Sequence, residues 1–125
     1  MKRFMRFAML LSIAGLALFA NAARADEIPI VTGVQWTKSS EEQKKVYLIG
    51  VANLAQVEMA YQGKMQVSDA QSVIPRMARG LKGQTLDTVR EGLNKWYAAN
   101  PGKIEQPVLE TIWFEMVLPG LKNNP

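Results

Sequence analysis

The chain has 125 residues, 15 of them Lys or Arg and 11 Asp or Glu, and contains neither His nor Cys. That double absence excludes disulfides, thiol nucleophiles, haem attachment and the usual imidazole-held zinc or copper. The formal charge of +4 and the isoelectric point near 9.5 invite a nucleic-acid reading only until the basic residues are located along the chain.

Four of them, Lys2, Arg3, Arg6 and Arg24, lie within the first 25 residues. There a basic start, an apolar run from Ala8 to Ala20 and the small-residue site Ala23-Arg24-Ala25 describe a secretory signal peptide cleaved after Ala25. The apolar run is shorter than the roughly 20 residues that span a bilayer core. Export to the periplasm is therefore expected. Taking 25 residues from 125 leaves 100, in which eleven basic residues balance eleven acidic ones. The mature chain is formally neutral, and nucleic acid drops out as a partner. One hundred residues build one hydrophobic core, here held by packing alone. The methionines Met59, Met65, Met77 and Met116 read as core filler rather than a soft-metal site.

In chain order, residues 26–36, with Pro29, Gly33 and several β-branched side chains, read as an extended lead-in; a strand there has no evident partner. Ser39 followed by Glu42 fits a capping box that opens a long helix. Nothing interrupts that helix before Gly63, its expected stop, except Gly50. An interior glycine costs about 1 kcal/mol and marks a close helix crossing. The stretch from Lys45 to Gly63 holds Asn53, Gln56 and Glu58 and follows an export signal, so it reads as a buried central helix of a soluble bundle, with no stable membrane insertion once the signal is removed.

A second cap at residues 68–71 introduces a short, irregular helix that contains Pro75 and ends before Gly83. Thr85 caps a third helix, with Leu86, Val89, Leu93, Trp96 and Tyr97 at spacings of three and four. Asn100-Pro101-Gly102 stops it. A last helix starts near Pro107, places Val108, Leu109, Ile112, Trp113, Met116 and Val117 on one face, and ends at Pro119-Gly120 ahead of a frayed tail, 121–125. The whole predicts an all-α fold, a small single-domain bundle of about four helices with one long central helix.

The chemistry offered is narrow. Glu58 is the one acid embedded in an apolar stretch. It is a carboxylate perturbed by a pocket, or a residue that simply lies at a helix edge, or one that pairs with a lysine or arginine of a neighbouring helix. Glu115, between Phe114 and Met116, is a weaker second. Ser39, Ser40 and Ser68 are cap residues and Ser72 has no base beside it, so none resembles an activated nucleophile. Gly80 and Gly83 lack the strand and the Gly-Lys-Ser/Thr ending of a phosphate loop. No catalytic residue, metal site or cofactor is expected, and the chain reads as a non-enzymatic binding protein. The adjacent pairs Trp96-Tyr97 and Trp113-Phe114 cannot both face one way on a helix. Glu58, Tyr61, Trp96, Tyr97 and Trp113 are the candidate binding residues, aromatic side chains being enriched where proteins meet.

The central Tyr47-Leu48-Ile49-Gly50-Val51, the block Leu86-Asp87-Thr88-Val89 with Leu93, the Asn100-Pro101 turn and the final apolar helix closed by Pro119 together resemble the Rap/Tai type of periplasmic immunity protein. The likeness runs from Trp36 to Pro119, without the cysteines usual in that family. It implies a protein partner in the periplasm, a cell-wall-degrading effector that the protein would neutralise, and pairing into a homodimer. The competing expectation is a periplasmic accessory or chaperone-like protein that binds a small apolar ligand, a peptide or an envelope component in a groove between helices.

Overall fold

The computed structural model describes residues 28–65 and 71–125. The expected signal peptide and the cap at 68–70 lie outside these residues. Residues 31–125 form one compact unit. Of the separate unit Met1–Ile30, only 28–30 are described, without regular structure. The elements are α1 (Gly33–Lys38), α2 (Glu41–Met65), α3 (Val73–Gly80), α4 (Leu86–Ala99), a 3₁₀ turn (Pro101–Lys103), α5 (Val108–Ile112), a π-helical turn (Trp113–Val117) and α6 (Leu118–Asn123). The last three run on without a break. This is the all-α bundle with one long helix.

The lead-in is not wholly extended. Thr32 caps α1 through a capping box with Gln35, whose side chain takes the Thr32 amide at 2.9 Å. The signal was present in the Thr-x-x-Gln spacing and was masked by Gly33 and Val34, which favour other conformations. Just before it, the chain does find a partner: Thr32 and Pro107 form an antiparallel bridge, with Val108 donating to the Val31 carbonyl at 2.9 Å and Gly33 to that of Gln106 at 3.2 Å. Ser39 closes α1, its hydroxyl bonded to the Gln35 carbonyl at 2.7 Å. The cap of α2 is Ser40, one residue later than expected, boxed with Gln43 at 3.1 and 2.9 Å.

Leu93, Val108, Ile112, Val117, Tyr97, Trp36, Leu48 and Val89 form the core. They come from α1, α2, α4 and the C-terminal run. Tyr97 is anchored in it by its hydroxyl, which donates to the Gln106 carbonyl at 2.8 Å and lies 3.0 Å from Thr111 Oγ1. At the start of α2 a polar network ties three helices together. Trp36 Nε1 donates to Asn94 Oδ1 at 2.9 Å, and Asn94 donates to Glu41 at 3.2 Å. Glu41 also meets Lys44 Nζ at 2.7 Å and Arg90 Nε at 3.1 Å. Lys44 is buried, and that ion pair, with the Trp36 ring 5.7 Å away, is what makes its burial tolerable.

Two ends differ from expectation. α2 runs past Gly63 to Met65. The last helical run continues past Pro119 to Asn123, so residues 121–123 are not frayed: Leu121 packs against the core. Pro119 has no N–H for the Glu115 carbonyl and its ring crowds that position. The chain accommodates it by a wider turn, in which the Leu118 amide reaches back five residues to Trp113. Beyond that turn, Gly120 lies against the Gly80 carbonyl of α3 so closely that a Cβ would collide with it. Gly80 is therefore a helix-crossing residue, while Gly83, with φ of +85°, makes the turn into α4 that a side chain would strain.

The largest correction concerns α2. Of its 25 residues only Lys44 and Leu48 are buried, so it is not a buried central helix. Four short elements cannot wrap a helix about 37 Å long at 1.5 Å per residue, and they cover one side of its first half. Leu54, Val57, Met59, Tyr61 and Met65 are between 49 and 67% exposed. No helix among the described residues is long and apolar enough to cross a membrane.

Candidate functional site

The residues singled out in the sequence are not gathered into one place. Glu58 accepts a hydrogen bond from Gln62 Nε2, one turn further along its own helix, at 2.9 Å. Among the described residues it faces neither a neighbouring cation nor the cleft. Tyr61 is 56% exposed, on the side of α2 away from the core. Trp96 is half-buried, edge-on to Tyr97 at 5.1 Å with Lys103 Nζ 5.9 Å from its ring. Tyr97 is a core residue at 1% exposure, beyond a partner's reach, and its burial pushes the phenol above its ordinary ionisation range. Trp113 is half-buried under the Arg76 guanidinium, 5.1 Å from the ring centre. Its neighbour Phe114 is the exposed member of that pair.

The concave site lies elsewhere. It is a half-open cleft of about 300 Å³ between α2, α3 and the start of α4. Leu48, Val51, Ala52 and Ala55 of α2 make one wall, Met77, Ala78 and Leu81 the second, and Leu86 and Val89 the third, with Ile112 at the base. The cleft exists because Ala52 and Ala55, three residues apart on the face of α2 that looks at α3, are too short to fill the gap between the helices. Larger side chains at either position would close it.

Its polar lining is sparse. Thr85 is committed to capping α4, where it accepts from the Thr88 amide at 3.1 Å. Gln84 takes the Thr88 hydroxyl at 3.3 Å. Gln56 makes no side-chain hydrogen bond among the described residues, which leaves its amide free at the cleft. Among the described residues, no ionisable side chain lines the walls. Such a surface favours apolar groups and offers one neutral donor and acceptor for orientation. It supplies no nucleophile, base or anion-holding group, and among the described residues no group of three His, Cys, Asp or Glu side chains is placed to hold a metal ion.

Sequence reasoning missed Ala52, Ala55 and Gln56 because each is unremarkable alone. The signal that was available is two alanines at helical spacing inside a run of large apolar residues, the pattern of a dent in a helix face.

Fold and cleft together define a small all-α protein with an apolar groove between its helices. No family model, curated protein or solved structure matches the chain.

Proposed function

We propose that the protein is a non-enzymatic, exported binding protein that works in the periplasm, and that the cleft between α2, α3 and α4 is where it receives an apolar group of its partner. The observation that carries this reading is an apolar, half-open cavity of about 300 Å³ between three helices of the bundle. That volume is at the lower end of the range for ligand sites, about 300–1,000 Å³, and suits one or two apolar side chains of a protein segment. Gln56 at the cleft would orient the backbone that carries them.

The immunity-type form of this reading rests on the resemblance between Trp36 and Pro119, and makes the partner a cell-wall-degrading enzyme whose activity falls on binding. The accessory form makes the occupant a small apolar molecule, for which the lack of charge on the cleft walls is the favouring observation.

The test places a photocrosslinking residue at Gln56 in the native compartment, with the same residue at Lys95 on an outer surface as control. A discrete crosslinked product from position 56 that is absent from position 95, and is lost when Ala52→Trp fills the cleft, supports the proposal. Native mass spectrometry of the same protein separates a bound small molecule from a bound chain. If position 56 crosslinks to nothing and no small molecule is retained, while circular dichroism shows the helices intact, the cleft is not a binding site.

A further inference from the structure

The cleft has a wet end and a dry end. Its depth runs from exposed residues at the mouth, Gln56, Ala78, Gln84 and Thr85, to buried Leu48, Val89 and Ile112 at the base. No aromatic side chain is among the described residues that line it, so an aromatic occupant finds no ring to stack on or meet edge-on. The walls offer instead the methyl and methylene surface of Leu, Val and Ala, together with Met77, whose unbranched, flexible chain adapts to an irregular neighbour. The volume of about 300 Å³ is about ten times a water molecule's share of the liquid, roughly 30 Å³. A methylene group is about as large as a water, so about eight to ten chain carbons fill the hollow.

Charge is absent from the walls but not from their surroundings. Among the described residues, the charged side chains that adjoin lining residues in the chain are Arg76 beside Met77, Arg79 beside Ala78, Lys82 beside Leu81, Asp87 beside Leu86 and Arg90 beside Val89. Only Asp87 is an acid, and it is already taken, by Arg90 at 3.4 Å and Lys45 at 3.9 Å. Arg90 is in turn shared with Glu41, and Arg76 lies over the Trp113 ring. Lys82 is exposed and forms no ion pair among the described residues. It stands in the turn between Leu81 and Gln84, and its flexible stem is long enough to bring the ammonium to the rim. An uncharged aliphatic hollow with a spare cation at its mouth is complementary to an amphiphile with an anionic head.

We infer that the occupant of the cleft is the unbranched aliphatic chain of a medium-length fatty acid, its tail directed toward Ile112 and its carboxylate at the mouth beside Lys82 and the Gln56 amide. This occupant rests on the cleft being a binding site. Each methylene that enters exchanges water for aliphatic surface and tightens binding about three- to fourfold. The gain ends where the chain outgrows the hollow. The carboxylate adds a smaller factor, about two- to fivefold, because its ion pair with Lys82 is exposed to solvent.

The protein purified from the expressing cells and stripped of co-purified ligand on a hydrophobic resin is titrated calorimetrically. The probes are straight-chain carboxylates from butanoate to dodecanoate, below their micelle-forming concentrations, with octan-1-ol and octylammonium for comparison. The expected affinity rises about three- to fourfold per methylene and levels off near decanoate. Octan-1-ol binds about two- to fivefold more weakly than octanoate, and octylammonium more weakly still. Lys82→Gln lowers octanoate to the level of the alcohol and leaves the alcohol unchanged. Ala52→Trp fills the hollow and abolishes binding, and Ala55→Leu, a smaller intrusion that serves if the tryptophan variant does not fold, moves the levelling-off to a shorter chain. No binding of any carboxylate, affinity indifferent to chain length, or octylammonium binding more tightly than octanoate overturns the inference. So does octanoate binding that neither Ala52→Trp nor Ala55→Leu changes. A photocrosslink from position 56 to a protein chain, with no carboxylate bound, overturns the fatty-acid occupant and leaves the cleft a binding site; the absence of both removes the cleft as well.

Discussion

Replacing Gly50 with alanine separates what the single chain needs from what its surface does. In a helix interior glycine costs about 1 kcal/mol relative to alanine. The new methyl would enter open space, with no atom within 4 Å, so no clash offsets that gain. Gly50→Ala is expected to stabilise the monomer by about 1 kcal/mol, which for a domain of this size raises the melting temperature by about 4–8 °C. The assay is thermal unfolding followed by circular dichroism at low micromolar protein. Gly120→Ala is the internal contrast, since its methyl would strike the Gly80 carbonyl. It should lower stability by about 1–3 kcal/mol, as overpacking does. A Gly50→Ala variant that melts lower than the parent at low concentration would show that another part of the same chain covers this face, and the reasoning about α2 would fail.

Three further outcomes follow from the fold. Tyr97→Phe removes the hydroxyl that bonds Gln106 and Thr111 and should cost about 1–3 kcal/mol in urea unfolding, the range for a buried hydrogen bond lost on one side. Leu93→Ala opens a cavity at a fully buried position and should cost about 2–5 kcal/mol, read in the same experiment. Chiefly the hydrogen bond from Lys44, together with Asn94 and Arg90, holds the Glu41 carboxyl below its ordinary value of 4.5. Its contribution is complete above that value and fades as the pH falls below it. Glu41→Gln should therefore flatten the acid limb of the stability–pH curve and leave the alkaline limb, where half-buried Tyr47 and buried Tyr97 resist ionisation, unchanged.

The parts of the fold legible in the sequence are those set by local signals. Thr85 and the stripe from Leu86 to Tyr97 place α4, and Pro107 with Val108 places the start of the last helical run. The capping box of α2 slipped by one because Ser39 and Ser40 adjoin, and only the end of α1 decides which serine is free to cap. α1 itself was hidden by a glycine and a valine that packing against Tyr97 and the bridge to Pro107 override. The run past Pro119 was hidden because proline's cost can be absorbed by a π-turn, a choice made by tertiary contact. Least legible was the environment of α2: its residues are apolar nearly all round, and hydropathy alone does not say which side the other helices will cover. The cleft depends on three helices converging on Ala52 and Ala55, so no single stretch of sequence displays it. Glu58, conspicuous as a lone acid, spends its carboxylate on Gln62.

The wide turn at Trp113–Val117 makes the end of the chain a counting device. Its five residues advance less around the axis than five α-helical ones, leaving everything beyond it out of step by about one residue. That lag is what presents Gly120 to Gly80; an unwidened helix would present a neighbour that has a side chain, at a spot with no room for one. Pro119 and Gly120 thus act as a pair, the first imposing the lag and the second depending on it. A one-residue insertion between 113 and 117, which the turn has no further slack to absorb, should be more damaging than most single substitutions there, whereas a one-residue deletion can be absorbed by the turn's closing to regular α-helix with Gly120 still facing Gly80.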